Sequence, residues 1–94
     1  MDVSTRVRAV EGVMATEVDG QAVLMHTERG VYYGLNEVGA LVWRHMSRSV
    51  TIGELHDLVT AEFEVEPEAC LRDIVALMER MEGEGLAEVA SEEA

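Results

Sequence analysis

The residues that most often carry catalysis or bind metals are scattered along this 94-residue chain. His26, His45 and His56 show none of the paired spacings of zinc ligands, and Cys70 is the only cysteine. No nucleophile with a neighbouring base and no cofactor anchor can be recognised. The sequence therefore predicts no metal, no cofactor and no enzymatic activity, and Cys70 is expected to be a small buried hydrophobe.

Glycines and carboxylates also lack a catalytic arrangement. Gly34 and Gly39 lie five residues apart, but neither a dinucleotide-binding motif nor a phosphate-binding loop follows. The ordinary role of the many carboxylates is a solvated acidic surface. They give the chain a formal net charge of −12, with seven arginines and no lysine. Such a charge repels nucleic acid and anionic membranes and attracts basic ligands.

Size and composition indicate a single globular domain. Apolar residues make up 48% of the chain and recur in periodic segments, which is typical of a folded protein. No apolar run approaches the roughly 20 residues needed to cross a bilayer. The first residues, M-D-V-S-T-R, lack the basic and then apolar order of a signal peptide, which predicts a cytoplasmic protein.

Strand patterns dominate the first third of the chain. Residues 13–18 and 21–27 favour β-structure, and Asp19-Gly20 between them suits the two-residue type I′ turn of a hairpin. A second turn at 28–30 leads to residues 31–35 and completes an antiparallel three-stranded meander, whose third strand is expected at an edge. Residues 1–12 have a weak pattern, which predicts a loose arm or a short lead-in strand.

Three helices follow the meander. The hydrophobic period changes from two to 3.6 at Asn36, whose side chain can cap the first helix. Thr51 and Glu54 have the spacing of a capping box, which starts the second helix at residue 52. Pro67 fits the first position of the third helix, which should end near Gly83. The predicted fold class is α+β, a three-stranded antiparallel meander followed by three helices, as in a winged helix-turn-helix protein.

The third helix has an apolar face wider than a helix needs to cover a core. Its apolar residues are Cys70, Leu71, Ile74, Val75, Leu77, Met78 and Met81. Residues 86–89 can add a short closing strand. We expect one domain, 1–94, with an ordered core at about 7–89 and an acidic tail at 90–94.

DNA binding is the natural alternative for a winged helix-turn-helix fold. It would require basic side chains concentrated on the third helix. That helix carries two arginines against four acidic residues: Arg72 and Arg80 against Glu68, Asp73, Glu79 and Glu82. Poor affinity for phosphates is therefore expected.

Three segments together resemble a known family. They are Y-Y-G-L-N-E-V-G-A-L-V-W (32–43), T-I-G-E-L-H-D-L-V (51–59) and C-L-R-D-I-V-A-L-M-E-R-M-E-G-E-G-L (70–86). Their order, after a hairpin, resembles the PqqD-like precursor peptide recognition elements of ribosomally synthesised and modified peptides. The resemblance extends over residues 7–89, and the L-N-x-x-G-x-x-V-W junction is its most specific part. Stand-alone members that serve lasso-peptide biosynthesis are the most similar branch.

The resemblance implies a non-catalytic protein that binds the leader segment of a precursor peptide. The family holds the leader as an additional antiparallel strand on the third strand of the meander, in a groove with the third helix. The partners implied are the precursor peptide, a transglutaminase-like leader peptidase and an ATP-dependent macrolactam synthetase resembling asparagine synthetase, the lasso cyclase. The charge of −12 adds the expectation of a basic leader that binds faster at low salt.

The residues themselves supply a mechanism for such binding. An exposed edge strand offers unpaired N–H and C=O groups to an extended peptide, and pockets beside it give specificity. Asp73 is available to an amide, a hydroxyl or a basic group of the leader. The candidate peptide-binding residues are Val31, Tyr32, Tyr33, Gly34, Leu35, Cys70, Asp73, Ile74, Leu77, Arg80 and Met81.

The orientation of the strand stays open at this point. By the period of two, Val31, Tyr33 and Leu35 share a face that can be core. Tyr32 and Gly34 then lie on the other face. Sequence alone does not decide which tyrosine faces the groove.

Other assignments have alternatives as well. Ile74 and Met81 can belong to the core or to the groove, and Asp73 and Arg80 can form an ordinary surface pair. Trp43 is expected to be a packing residue because its helix is already apolar on that side. The same fold also suits a peptide chaperone for pyrroloquinoline quinone or for another product of a radical SAM enzyme.

Overall fold

The computed structural model describes residues 1–90 of the chain. Within this range it contains six strands and three helices: β1 (Arg6–Ala9), β2 (Val13–Val18), β3 (Gln21–His26), β4 (Val31–Leu35), α1 (Glu37–Arg44), β5 (Val50–Thr51), α2 (Ile52–Glu62), α3 (Pro67–Gly83) and β6 (Ala87–Val89). Residues 91–94 of the expected tail lie outside the described residues. Ala90 is buried and donates its N–H to the carbonyl of Arg6.

The predicted meander forms one antiparallel sheet with the strand order β2-β3-β4. Asp19 and Gly20 have φ angles of 55° and 81°, and Val18 pairs with Gln21 on either side of them. Both turn residues therefore adopt the left-handed conformation that a type I′ hairpin requires. Among the described residues β4 pairs only with β3, so it is an edge strand as expected. The predicted α+β fold is confirmed.

A second small sheet has the order β5-β1-β6 and joins distant parts of the chain. Val7 in its central strand pairs with Val50 on one side and with Val89 on the other. The lead-in strand and the closing strand expected from the sequence both belong to it. Its two- to four-residue strands are too short for a clear period, so their pairing could not be predicted.

The helix starts follow the predicted local signals. The side-chain oxygen of Asn36 accepts a 3.0 Å hydrogen bond from the N–H of Gly39. Thr51 and Glu54 form the reciprocal capping box, with N···O distances of 3.0 and 2.9 Å. Pro67 is the first residue of α3, as predicted, and Glu66, which was not predicted, caps this helix by accepting a 2.9 Å hydrogen bond from the N–H of Ala69. The beginning of every helix is thus tied to the chain that precedes it.

The core lies between the helices and the two sheets. Leu24 from β3 is completely buried, and so are Ile52 and Leu55 from α2 and Met78 and Met81 from α3. These residues belong to one continuous hydrophobic cluster, which also includes Leu35 of β4. The cluster therefore fixes the position of β4 relative to α3. Within residues 1–90, every helix is too short or too polar to cross a membrane.

Candidate functional site

A groove of about 500 Å³ separates the edge strand β4 from helix α3. One wall consists of the second half of β4 and the first turn of α1. The other wall is α3 together with the loop that enters it. This volume falls within the usual range of ligand-binding pockets.

The side chains on the two faces of β4 differ in direction and burial. Tyr33 and Leu35 point toward the helices, Tyr33 half-buried and Leu35 buried. Tyr32 points to the opposite face and is 68% exposed. Gly34 lines the groove with its backbone, and a Cβ added there would meet no heavy atom within 4 Å. The polar edge of β4 is therefore open beside the groove.

Helical spacing explains which residues of α3 line the groove. Asp73, Leu77 and Arg80 are separated by four and three residues, which places them on one face of α3. Ala69 and Ala76 lie on the same side, and their small side chains leave space for a ligand. Beneath this face, Cys70 and Ile74 are buried and form the apolar floor. The groove therefore combines an apolar base with polar residues at its mouth.

One hydrogen bond connects the two walls. The Arg80 Nε donates to the Tyr33 hydroxyl at 2.9 Å. This contact raises the pKa of Arg80, whose guanidinium is already charged at physiological pH without it. Asp73 lies seven residues earlier on α3, about 10 Å along the helix axis. Arg80 is therefore paired with the strand and not with Asp73.

Besides Arg80, the charged residues of the groove are two carboxylates. Glu66 and Asp73 both line it, although the Glu66 carboxylate also caps α3. Burial raises the pKa of the Cys70 thiol, and the nearby charge of Asp73 raises it further. Cys70 is accordingly a neutral, buried thiol, as expected from the sequence.

Eight of the eleven candidate peptide-binding residues line the groove: Tyr33, Gly34, Leu35, Cys70, Asp73, Ile74, Leu77 and Arg80. The other three lie elsewhere. Val31 is half-buried at the start of β4, Tyr32 is on the opposite face, and Met81 is completely buried in the core. Trp43 packs against the core outside the groove.

The groove also contains residues that were not predicted: Asn36, Val38, Gly39, Val59, Val65, Glu66, Ala69 and Ala76. Two of them had a sequence signal, because Ala69 and Ala76 are spaced by four and three residues from Asp73. The others had none. Val59 comes from α2 and Val65 from the following loop, and only the tertiary packing of α2 against α3 brings them to the groove.

The chemistry that the groove offers is peptide binding. It presents main-chain groups of β4 that have no strand partner within residues 1–90, together with apolar side chains and a few charges at the mouth. The histidines lie outside it: His56 contacts the carbonyl of Pro67, and His45 contacts the carbonyl of Leu41. In the described part of the chain, no three His, Cys, Asp or Glu side chains are grouped to hold a metal ion.

Fold and groove together define a class of protein: a small α+β domain of winged-helix type with an open sheet edge facing a helix. A family model described as coenzyme PQQ synthesis protein D (PqqD) matches residues 21–87, more than half of the chain. The chain belongs to the PqqD family. The similarity to PqqD-like recognition elements that the sequence indicated is thereby confirmed.

Two solved structures are similar over almost the whole chain. One is TbiB1 in complex with the TbiA(beta) leader peptide, with 25% identity, coverage of 90% of this chain and 99% of the other, and a TM-score of 0.79. The second is lasso peptide synthetase B1 complexed with the leader peptide, with 27% identity, coverage of 87% and 96%, and a TM-score of 0.74. No curated protein sequence matches the chain significantly.

Proposed function

We propose that this protein binds the leader segment of a lasso-peptide precursor, without catalysing a reaction, and delivers it to the enzymes that process it. Both similar solved structures are complexes with a leader peptide, and one of them is lasso peptide synthetase B1. The wide coverage of both chains supports the same class of ligand for this protein.

The observation that carries the proposal is the open edge of β4 beside the groove. Its outer N–H and C=O groups have no strand partner among the described residues. An extended peptide can satisfy them by pairing as a fourth strand, a mode that needs little side-chain specificity. Five residues of strand span about 17 Å, enough to hold a short segment of leader in one register.

Selectivity would come from the side chains around the added strand. Apolar leader residues would enter over Ile74 and Leu77, where Ala76 leaves room. A basic leader residue would face Asp73 or Glu66, and an acidic one would face Arg80. The predominance of carboxylates in the protein favours a leader with net positive charge.

Delivery is the second part of the proposal. The enzymes that would receive the bound precursor are a transglutaminase-like leader peptidase and an asparagine-synthetase-like macrolactam synthetase, the lasso cyclase. A peptide bound by its main chain on an edge strand leaves its downstream part free. The protein would therefore raise the local concentration of the precursor at the processing enzymes without touching the bonds that they break.

A fluorescence-polarisation titration tests leader binding. The probe is a labelled synthetic peptide with the leader sequence of the precursor encoded nearest to this gene. Leu77→Asp should weaken binding at least tenfold, because it puts a charge against the apolar part of the groove. Val75→Asp is the matched control, since Val75 is also half-buried on α3 but does not line the groove.

The strand-pairing mode needs its own test. Proline placed in turn at each leader position should abolish binding at alternate positions, where an N–H is lost from the ladder. Uniform tolerance of proline would contradict pairing on β4. Equal losses for Leu77→Asp and Val75→Asp, with both variants folded by circular dichroism, would contradict the proposed groove.

A second candidate function follows from the family description, coenzyme PQQ synthesis protein D. In that case the ligand would be the precursor of pyrroloquinoline quinone or of another peptide modified by a radical SAM enzyme. The same titration distinguishes the two candidates when a lasso leader and a pyrroloquinoline quinone precursor are compared. The neighbouring genes provide a second criterion: a macrolactam synthetase in one case, a radical SAM enzyme in the other.

A further inference from the structure

A second cleft, of about 920 Å³, lies between the end of α1 and one face of α2. Three of the seven arginines of the chain line it: Arg6 from β1, Arg44 from α1 and Arg48 from the loop that follows. Three arginines against two carboxylates, Glu54 and Asp57, give this basic cleft a formal charge of +1, so the other residues of the chain together carry −13. The charge of this surface is thus opposite in sign to that of the protein as a whole.

The two carboxylates of the basic cleft already have partners. Glu54 accepts the N–H of Thr51 at 2.9 Å in the capping box, and Asp57 contacts the His56 Nδ1 at 3.3 Å. Arg48, by contrast, is exposed and makes no hydrogen bond or ion pair within residues 1–90. The basic cleft therefore offers a guanidinium group to a negatively charged ligand.

The dipole of α1 explains only part of this cluster. Arg44 and His45 lie at the end of α1, where basic residues complement the helix dipole. Arg6 and Arg48 belong to other segments, so the dipole does not account for them. The Arg6 Nη1 donates to the Ser49 Oγ at 3.5 Å, which connects β1 with the loop that carries Arg48. The fold thus brings together arginines that are distant in sequence.

Size, lining and charge indicate what the basic cleft binds. Leu58 and Ala61 of α2 add apolar surface beside the arginines, and the volume is larger than a single phosphate needs. Guanidinium groups form strong, directed hydrogen bonds with carboxylates. Nucleic acid and anionic membranes extend over a wide surface and are repelled by the net charge of −12. A short acidic peptide segment fits better, because it can present its charge to the cleft alone.

Helix α1 separates the basic cleft from the leader-binding groove. Val38 and Gly39, near the start of α1, line the groove, whereas Arg44 and His45 line the basic cleft. Within residues 1–90, no residue lines both. The two sites can therefore be occupied at the same time.

We infer that the basic cleft binds a segment of a processing enzyme that is rich in aspartate or glutamate, while the leader occupies the groove. The inference rests on the proposed function, because a protein that delivers a precursor needs a surface for the recipient that the leader leaves free. The acidic charge of the rest of the protein repels such a segment from other faces and directs it to the basic cleft.

Two matched pairs of variants test the inference. Arg48→Glu is compared with Arg72→Glu: both arginines are exposed and both changes alter the net charge equally, but Arg72 lies on α3 and lines neither site. Arg44→Ala is compared with Arg8→Ala. In both wild-type residues the Nε donates to a glutamate, at 3.0 and 2.7 Å, and the side chains are about half exposed, but Arg8 does not line the basic cleft.

Each full-length variant is checked for folding by circular dichroism and titrated with the labelled leader peptide. Each is then saturated with leader and measured by biolayer interferometry against the purified leader peptidase and the purified macrolactam synthetase, at low and at high salt. For all four variants we expect a leader affinity within about twofold of wild type. Arg48→Glu should bind at least one of the two enzymes at least tenfold more weakly, and Arg44→Ala about threefold more weakly, both with a smaller dependence on salt. Arg72→Glu and Arg8→Ala should bind both enzymes like wild type.

Equal enzyme affinities for Arg48→Glu and Arg72→Glu would overturn the inference, and so would the absence of binding of both enzymes to leader-loaded wild type. A wild-type dimer in sedimentation that Arg48→Glu dissociates would overturn it in favour of a second copy of this chain. A gel shift of duplex DNA by wild type that Arg48→Glu abolishes would overturn it in favour of nucleic acid. Failure of wild type to bind the leader would instead refute the proposed function.

Discussion

The Arg80 Nε and the Tyr33 hydroxyl, 2.9 Å apart, form the only side-chain hydrogen bond between β4 and α3 within the described residues. The two residues are 47 positions apart in the sequence. Since Tyr33 points toward α3 and Tyr32 away from it, the bond also identifies the tyrosine that faces the groove. It holds a guanidinium at the mouth of the groove, where a bound peptide would pass.

Removal of this hydroxyl should affect binding more than folding. In Tyr33→Phe the ring stays in place but Arg80 loses its anchor. Because the contact is exposed, we expect a stability change below about 1 kcal/mol and a leader affinity about threefold lower. The fluorescence-polarisation titration measures the second effect. Tyr32→Phe is the control and should bind the leader like wild type; equal losses for both variants would contradict a special role of Tyr33.

Cys70 should report occupation of the groove. Its thiol lines the groove but is only 5% exposed, and burial followed by the charge of Asp73 raises its pKa. Iodoacetamide should therefore modify it more slowly than a cysteine in a short peptide, because the thiolate is the nucleophile. Saturating leader should slow the reaction further. A labelling rate unchanged by leader would indicate that the peptide does not cover this part of the groove.

The same pKa shift predicts a loss of stability in alkaline solution. A thiol whose pKa is higher in the folded than in the unfolded state stabilises the fold below its ordinary pKa. This contribution is lost as the pH rises toward the raised value of the folded state. Urea unfolding between neutral and alkaline pH should show a smaller decline for Cys70→Ala than for wild type. Asp73→Asn should have a weaker effect in the same direction, since Asp73 is the lesser cause of the shift.

The structure shows which features of this protein are local and which are not. Asn36, the Asp19-Gly20 turn and the capping box of Thr51 could be predicted, because each depends on residues within a few positions. The pairing of Val7 with Val50 and Val89 could not, because the strands are short and distant in sequence. For the same reason Tyr33 and Arg80 could each be predicted as candidate binding residues, but the hydrogen bond between them could not.

The capping box predicts a dependence of stability on acid pH. The hydrogen bond from the N–H of Thr51 lowers the pKa of Glu54, and Arg6 and Arg48 add to this. A carboxylate with a lowered pKa stabilises the fold above its ordinary pKa, and the effect is lost as the pH falls through the folded value. Glu54→Gln should therefore reduce the loss of stability on acidification. Glu62→Gln, which removes a charge at the other end of α2, should not; identical pH profiles for the two would contradict this role.

Gly39 tests whether the junction between β4 and α1 shapes the groove. A Cβ at this position would lie 3.0 Å from Cδ2 and 3.1 Å from Cβ of Leu35, a buried residue that lines the groove. Glycine inside a helix normally destabilises it relative to alanine by about 0.5–1 kcal/mol. Here the sign should reverse, because the Leu35 Cβ cannot rotate away from the added methyl group without a shift of β4 itself.

We therefore expect Gly39→Ala to lower the free energy of unfolding by about 1 kcal/mol and to weaken leader binding, because over-packing displaces the strand that receives the peptide. Gly83→Ala is the matched control: Gly83 is also helical, and a Cβ there would meet no heavy atom within 4 Å. It should raise the free energy of unfolding by about 0.5 kcal/mol and leave leader binding unchanged. Urea denaturation and the leader titration measure both quantities. A stabilising Gly39→Ala with normal affinity would mean that Leu35 can yield, and that this glycine does not determine the position of β4.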